Sequence, residues 1–277
     1  MTVYKATFMI YRTLYQGLAI LIAFFMATTV SIVSVSSDDK VKPSNNPVSG
    51  WTELIGDAGL TAWTRAPLHA KREFQDKWAH VGTAGVTDQQ TKMIISEPGT
   101  GTIVNGSGGR SWNIITKQPH ADVEAHIEFM VPKGSNSGVY FMGRYEIQVL
   151  DSWGRKPKDL KHGDCGGIYQ RWDSKRGKGK QGFEGHPPRF NASRAPGQWQ
   201  SFDVIFRAPR FDEVGNKTAN ARFVRVVHNG KVVHENVDVT GPTRGAGFND
   251  EQPTGPLMIQ GDHGPVAYRN VRVRLLD

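Results

Sequence analysis

Between Ala121 and Val131 the side chains alternate with a period of two. Val123, Ala125, Ile127, Phe129 and Val131 are apolar, while Asp122, Glu124, His126 and Glu128 are polar. Successive side chains of an extended chain point to opposite faces, so this run is a strand with one face buried. It cannot be an amphipathic helix, whose apolar residues recur every three or four positions. Phe202, Val204 and Phe206 alternate in the same way with Ser201, Asp203 and Arg207. Residues 221–228 and 231–237 are β-rich runs joined by Asn229-Gly230, the strongest short hairpin signal. Two more strands are predicted over Gly255 to Gln260 and Ala267 to Leu276, separated by Gly261-Asp-His-Gly-Pro265. Residues 68–78 are the one candidate helix. The chain holds 31 Gly and 15 Pro, too many turn formers for a helical bundle. Many short strands with this punctuation predict an all-β sandwich or barrel.

The N-terminus has a different character. Lys5 and Arg12 are the only charges before Asp38, and Leu18 to Ala27 is strongly apolar. A basic start, an apolar centre and the small residues Ser34-Val-Ser36 form the pattern of a secretory signal. An uncleaved N-terminal anchor is the alternative, since about 20 apolar residues span a bilayer. Either reading predicts an exported protein, periplasmic or extracellular, and the cleaved form would have no stable membrane contact. Residues 1–36 are thus the signal or anchor, 37–50 a polar linker, and 51–277 a single domain. Cys165 is the only cysteine, which excludes an intramolecular disulfide framework and a cysteine metal cage.

The net charge is +8. It is unevenly spread, because Gly154 to Arg194 holds eleven Lys or Arg and only four Asp or Glu. The core of this stretch is Lys175-Arg-Gly-Lys-Gly-Lys180. A nucleic-acid partner is not expected, because no reading element accompanies the basic run and the protein is exported. The run reads as a solvated loop or, with Trp153, Tyr169 and Trp172 flanking it, as a sugar-facing one.

Two segments carry candidate chemistry. In Tyr145 to Leu150, Tyr145, Ile147 and Val149 would face one way; Glu146 and Gln148, with Arg144, would face the other. Such a polar face within an apolar sequence suits the floor of a concave cleft. The second segment is Gln260-Gly-Asp-His-Gly-Pro265, where glycines on both sides of Asp262-His263 allow a sharp turn at a strand end. His263 is the best acid/base candidate of the nine histidines, since an imidazole titrates near neutrality. The spacing of Glu146 and Asp151 is similar to the Glu-x-Asp-x-x-Glu cluster of laminarinase-type retaining glucanases. Gln148 replaces its central Asp, however, and a paired-carboxylate mechanism needs both groups about 5–5.5 Å apart. That mechanism is disfavoured.

Taken together, several segments resemble the 3-keto-disaccharide hydrolase family, also described as 3-keto-glucoside 1,2-lyase/3-keto-2-hydroxyglucal hydratase. They are Trp51 to Trp63, Asn136-Ser-Gly-Val-Tyr140, Tyr145 to Asp151, Cys165-Gly-Gly-Ile-Tyr169, Pro196 to Asp203, Gln260 to Pro265 and Tyr268-Arg-Asn270. The resemblance covers about residues 50–277 in family order. It departs at Ile55-Gly-Asp57, where the family has Phe-Asn-Gly, and in the basic loop around 175–180.

The resemblance implies a concanavalin A-like jelly-roll β-sandwich, and an enzyme that cleaves 3-keto-glycosides or 3-keto-disaccharides. A separate sugar C3-oxidoreductase would supply the ketone. The C2 hydrogen then becomes acidic; its removal expels the C1 substituent, and water adds back. Such a route needs a base or acid and a group that steadies the enolate. His263 or Glu146 would move the proton, and Arg144 or a bound cation would steady the enolate. Gln148 and Gln260 would hydrogen-bond the sugar, Trp153 and Tyr169 would pack on it, and Asp262, Tyr140 and Arg269 would add contacts. The sequence assigns no definite cofactor. A divalent metal on Glu146, Asp262 and His263 is the one the residue types would suit. The alternatives are a non-catalytic carbohydrate-binding module on the same sandwich and a structural or adhesive surface domain.

Overall fold

The computed structural model describes residues 50–67 and 74–277. The predicted signal or anchor and nearly all of the linker lie outside the described residues. Its strands, in chain order, are β1 (Thr52–Ile55), β2 (Trp63–Arg65), β3 (Ala79–Thr87), β4 (Gln90–Val104), β5 (Ile114–His120), β6 (Val123–Met130), β7 (Asn136–Phe141) and β8 (Tyr145–Leu150). There follow β9 (Arg171–Trp172), β10 (Gly182–Phe183), β11 (Gln200–Arg207), β12 (Arg210–Phe211), β13 (Lys217–Ala219), β14 (Ala221–His228), β15 (Lys231–Val239), β16 (Gly255–Ile259) and β17 (Ala267–Leu275).

Two antiparallel sheets face each other as a jelly-roll β-sandwich. The larger runs β15-β14-β11-β6-β17-β4-β3, with β1 also on β17; the smaller runs β2-β5-β16-β7-β8. The alternating residues do what their period requires. Ala125, Ile127 and Phe129 of β6 and Phe202, Val204 and Phe206 of β11 join Val139, Phe141, Tyr145, Ile147 and Val149 of the smaller sheet in one core. Phe141 meets Phe206 at 5.2 Å and Phe223 at 5.5 Å between ring centres, which ties the sheets together. Burial of one such side chain stabilises the fold by about 1.5–3 kcal/mol.

The predicted hairpin forms between β14 and β15. Asn229 and Gly230 both take positive φ, 49° and 79°, as a type I′ turn demands. The helix expected over 68–78 is not borne out where it can be followed: residues 74–78 carry no regular structure, and 68–73 lie outside the described residues. Propensity there is weak, and tertiary contacts prevail. The Lys77 amide bonds the Ser111 hydroxyl at 2.9 Å, and the Trp78 indole bonds the Trp112 carbonyl at 2.7 Å.

Cys165 is buried in the inter-sheet core beside His228, and burial pushes its thiol up to about 12. It is a packing residue without thiolate character at neutral pH.

Candidate active site

The outward face of the smaller sheet carries the polar cleft. β7 and β8 pair so that Gly138 lies opposite Gln148 and Tyr140 opposite Glu146. With odd-numbered residues committed to the core, the even-numbered ones point the other way. Asn136, Tyr140, Glu146 and Gln148 line a cavity of about 360 Å³ together with Gln260, Tyr169, Arg244, Gly245 and His263. Residues 166–169 extend the sheet past β8. Gly166 donates to the Gln148 carbonyl at 2.8 Å and Tyr169 to that of Glu146 at 3.1 Å, which sets the Tyr169 ring in the wall.

Glu146 is only 2% exposed. Burial pushes its carboxyl well above the usual carboxylate range, and the charge of Asp262 acts in the same direction; the Tyr140 hydroxyl opposes them. The cavity therefore favours the protonated, neutral form of this group. Gly138 makes room for it, since a Cβ there would lie 2.2 Å from Glu146 Oε1. Gln148 is 6% exposed and donates to Asn136 Oδ1 at 3.1 Å. Its own Oε1 has no hydrogen-bond partner among the described residues. A buried, unpaired amide oxygen costs about 1–3 kcal/mol, so its place in the wall is that of an acceptor for a ligand hydroxyl.

His263 reaches the cavity from the loop between β16 and β17. Asp262 Oδ1 accepts from its Nδ1 at 2.7 Å, which leaves Nε2 as the nitrogen able to take a proton. Two asparagines clamp this loop. Asn105 Nδ2 donates to the carbonyls of Gly261 and Gly264 at 3.0 Å, and Asn113 Oδ1 accepts from the Gly261 amide at 2.8 Å. The flanking glycines are obligatory for close approach: a Cβ at Gly261 would lie 2.1 Å from the Trp112 carbonyl, and one at Gly264 2.2 Å from Ser135 Oγ.

Other expected site residues lie elsewhere. Arg144 falls in the Met142-Gly143 turn before β8 begins, so the strand's alternation does not extend to it. Its guanidinium bonds Asp250 and the Met142 carbonyl, and is not in the cavity wall. It braces the following loop instead: its carbonyl accepts from the Thr243 amide at 2.9 Å, beside the Arg244 that does line the cavity. Trp153 is 60% exposed and lies in a separate groove with Asp151, Lys156 and Lys158. Arg269 is on the outer face of the larger sheet, paired with Glu128 at 2.7 Å and stacked on Trp199. Asp262 holds His263 from behind and does not line the cavity. Among the described residues no three His, Cys, Asp or Glu side chains gather as a metal site, so Glu146, Asp262 and His263 do not form the metal-holding set their types suggested. Asp151, the second carboxylate of a glucanase pair, bonds the amides of Gly134 and Trp153 outside the cavity.

Arg244 escaped the sequence reading. The available signal was a charged residue in a glycine-rich stretch, Thr243-Arg-Gly-Ala-Gly247, akin to the stretch that marked His263.

A profile of the 3-keto-alpha-glucoside-1,2-lyase-like domain matches residues 50–274. The chain belongs to this family. No curated protein matches it. A crystal structure from Parabacteroides distasonis ATCC 8503, of a protein provisionally named a glycosyl hydrolase, is 27% identical. It covers 82% of this chain and 84% of its own, with a TM-score of 0.55. A second protein of that organism with the same provisional name is 19% identical over 82% of this chain and 99% of its own, with a TM-score of 0.49. Membership of the 3-keto-alpha-glucoside-1,2-lyase-like family sets the chain among carbohydrate-active, glycoside-processing enzymes. Four of its matching segments supply the cavity or its loops: Asn136–Tyr140, Tyr145–Asp151, Cys165–Tyr169 and Gln260–Pro265.

Proposed function

We propose that the cavity takes a 3-keto-glycoside and cleaves it by elimination and rehydration. The observation that carries this reading is the pairing, on one cavity, of a buried carboxyl whose neutral form is favoured with an imidazole whose free nitrogen is set by a carboxylate. One group can take a proton while the other gives one, which is what the reaction needs.

In this reading His263 Nε2 removes the C2 proton, made acidic by the C3 ketone. The electron pair forms the C1–C2 double bond, and the C1–O bond breaks. The departing oxygen receives the proton of Glu146. Arg244 and the Tyr140 hydroxyl stabilise negative charge on the C3 oxygen as it develops. Water then adds, with hydroxyl to C1 and hydrogen to C2, so the net change is hydrolysis. Gln148, Gln260 and Asn136 hold the ring hydroxyls, and Tyr169 offers an aromatic face. Glu146 is the one carboxylate among the described residues lining the cavity, so a two-carboxylate displacement finds no second partner there. The ketone would come from a separate C3-oxidising enzyme, and the apolar N-terminus supports action outside the cytoplasm.

The test is direct. The full chain is incubated with 3-keto-glucosides of both anomers and with the parent glucosides. Release of the aglycone is expected from a 3-keto compound and not from its parent. Binding without release would favour a sugar-binding module, and equal release from the parent would rule out the role of the ketone.

A further inference from the structure

The basic stretch that the family pattern does not account for is joined to the wall of this cavity through Tyr169 and Arg244. Tyr169 is a wall residue, and the chain leads from it directly into the β9–β10 ribbon. Trp172 is three residues farther on, about 10 Å along an extended chain. The ribbon is fastened to the loop that supplies the opposite part of the wall. Arg244 donates its backbone amide to the Gln170 carbonyl at 2.8 Å, and its guanidinium lies 3.9 Å over the Trp172 ring. Arg171 bonds Thr240 and pairs with Glu184 at 3.3 Å.

The tip of the ribbon, residues 173–181, carries Lys175, Arg176, Lys178 and Lys180 against Asp173 alone. Asp173 is spent on the Lys175 backbone amide at 2.9 Å. Arg176 rests on the Phe183 ring at 3.9 Å. None of these four cations, nor Arg244, has a carboxylate within ion-pair distance among the described residues; the ion pairs of this region are made by Arg171 and Lys217. Unpaired, exposed cations on a ribbon fastened to a cavity wall raise the local concentration of anionic ligands, and neutral sugars have no use for them.

We propose that the ribbon tip, fastened beside Arg244, forms an anion-recognising rim. It selects glycosides that carry a fixed negative charge, such as a carboxylate or sulfate, outside the reacting ring. This rests on the reading of the cavity as a glycoside site and names its substrate class.

The full chain would be compared on 4-carboxyphenyl and phenyl 3-keto-glucosides. A preference in kcat/KM for the carboxylated compound, on the order of tenfold at low salt, is expected to fade as salt is added. Replacing Lys175, Lys178 and Lys180 together by Gln should bring the preference close to one, acting through KM. Replacing Lys156 and Lys158 by Gln, in the separate groove, should leave the preference as it was. Equal kcat/KM for both compounds would overturn the proposal, as would loss of the preference in the Lys156/Lys158 control. If neither compound is cleaved, the cleavage reading has failed. Calorimetric binding of the two compounds then decides the rim on its own: tighter binding of the carboxylated one supports it, and equal binding or none refutes it.

Discussion

Replacing Glu146 by Gln is expected to lower kcat toward a 3-keto-glucoside by about 10²–10⁴-fold, the usual size of a lost general acid. The amide matches the carboxylic acid in size and leaves the packing against Gly138 intact. It also buries no charge, in line with the burial that favours the neutral carboxyl. Thermal stability should therefore stay within a few degrees of the parent chain. The same physics gives a pH effect with a definite sign. Glu146 works as an acid only while protonated, so activity should fall as pH rises through its elevated pKa. In the Gln variant the residual activity should lose that alkaline limb. A loss of less than tenfold would remove Glu146 from the chemistry, whatever the fate of the substrate assignment.

The second large effect is acid lability. His120, His228 and His234 are buried, and desolvation pushes their imidazoles down to about 4, 3 and 4. Each is neutral in the fold and free to protonate near 6.5 once unfolded. A depressed folded pKa means that the unfolded chain binds more protons between the two values. The share of stability held by these three groups is thus complete above pH 6.5 and drains away as pH falls toward 4. Three such groups give a slope approaching about 4 kcal/mol per pH unit within that window. Asp122, held down to about 2 by Arg210, Arg207 and the Ala208 amide, adds a further loss only below about pH 3.8. His126 acts in the opposite sense, because its bond to Asp203 raises it; its contribution is present below 6.5 and lost at higher pH. Denaturant unfolding of the full chain at pH 5 should take up about two protons, because the three histidines gain between two and three and Glu146, whose raised pKa falls on unfolding, gives part of one back. Uptake of less than one would show that these histidines are not buried as neutral groups.

Most of the fold was readable because period-two alternation encodes which side chains a strand buries, and β6, β8 and β11 follow it residue by residue, while β14 changes parity at a bulge between Phe223 and Val226. The same periodicity placed Glu146 and Gln148 on one face. It failed for Arg144, which shares their parity but precedes the strand in a turn, where parity has no meaning. Trp153 and Arg269 were near the right segments in sequence; the chain leaves the cavity wall after Leu150, and β17 belongs to the other sheet. What lies far apart along the chain was not legible. The Asn105 clamp on the His263 loop spans 156 and 159 residues, and Arg244 enters the cavity on a loop whose brace is the buried Arg144. No local pattern records such pairings, which depend on how the sheets stack.

The central claim is that cleavage begins at C2. It is tested most directly by running the reaction of the full chain with a 3-keto-glucoside in D₂O and reading the released 3-keto-glucose by mass spectrometry. Free 3-keto-glucose without protein serves as the measure of background exchange. Elimination and rehydration predict one solvent deuterium at C2 in each turnover, well above that background. A product cleaved at C1 with its original hydrogen at C2 would contradict the account.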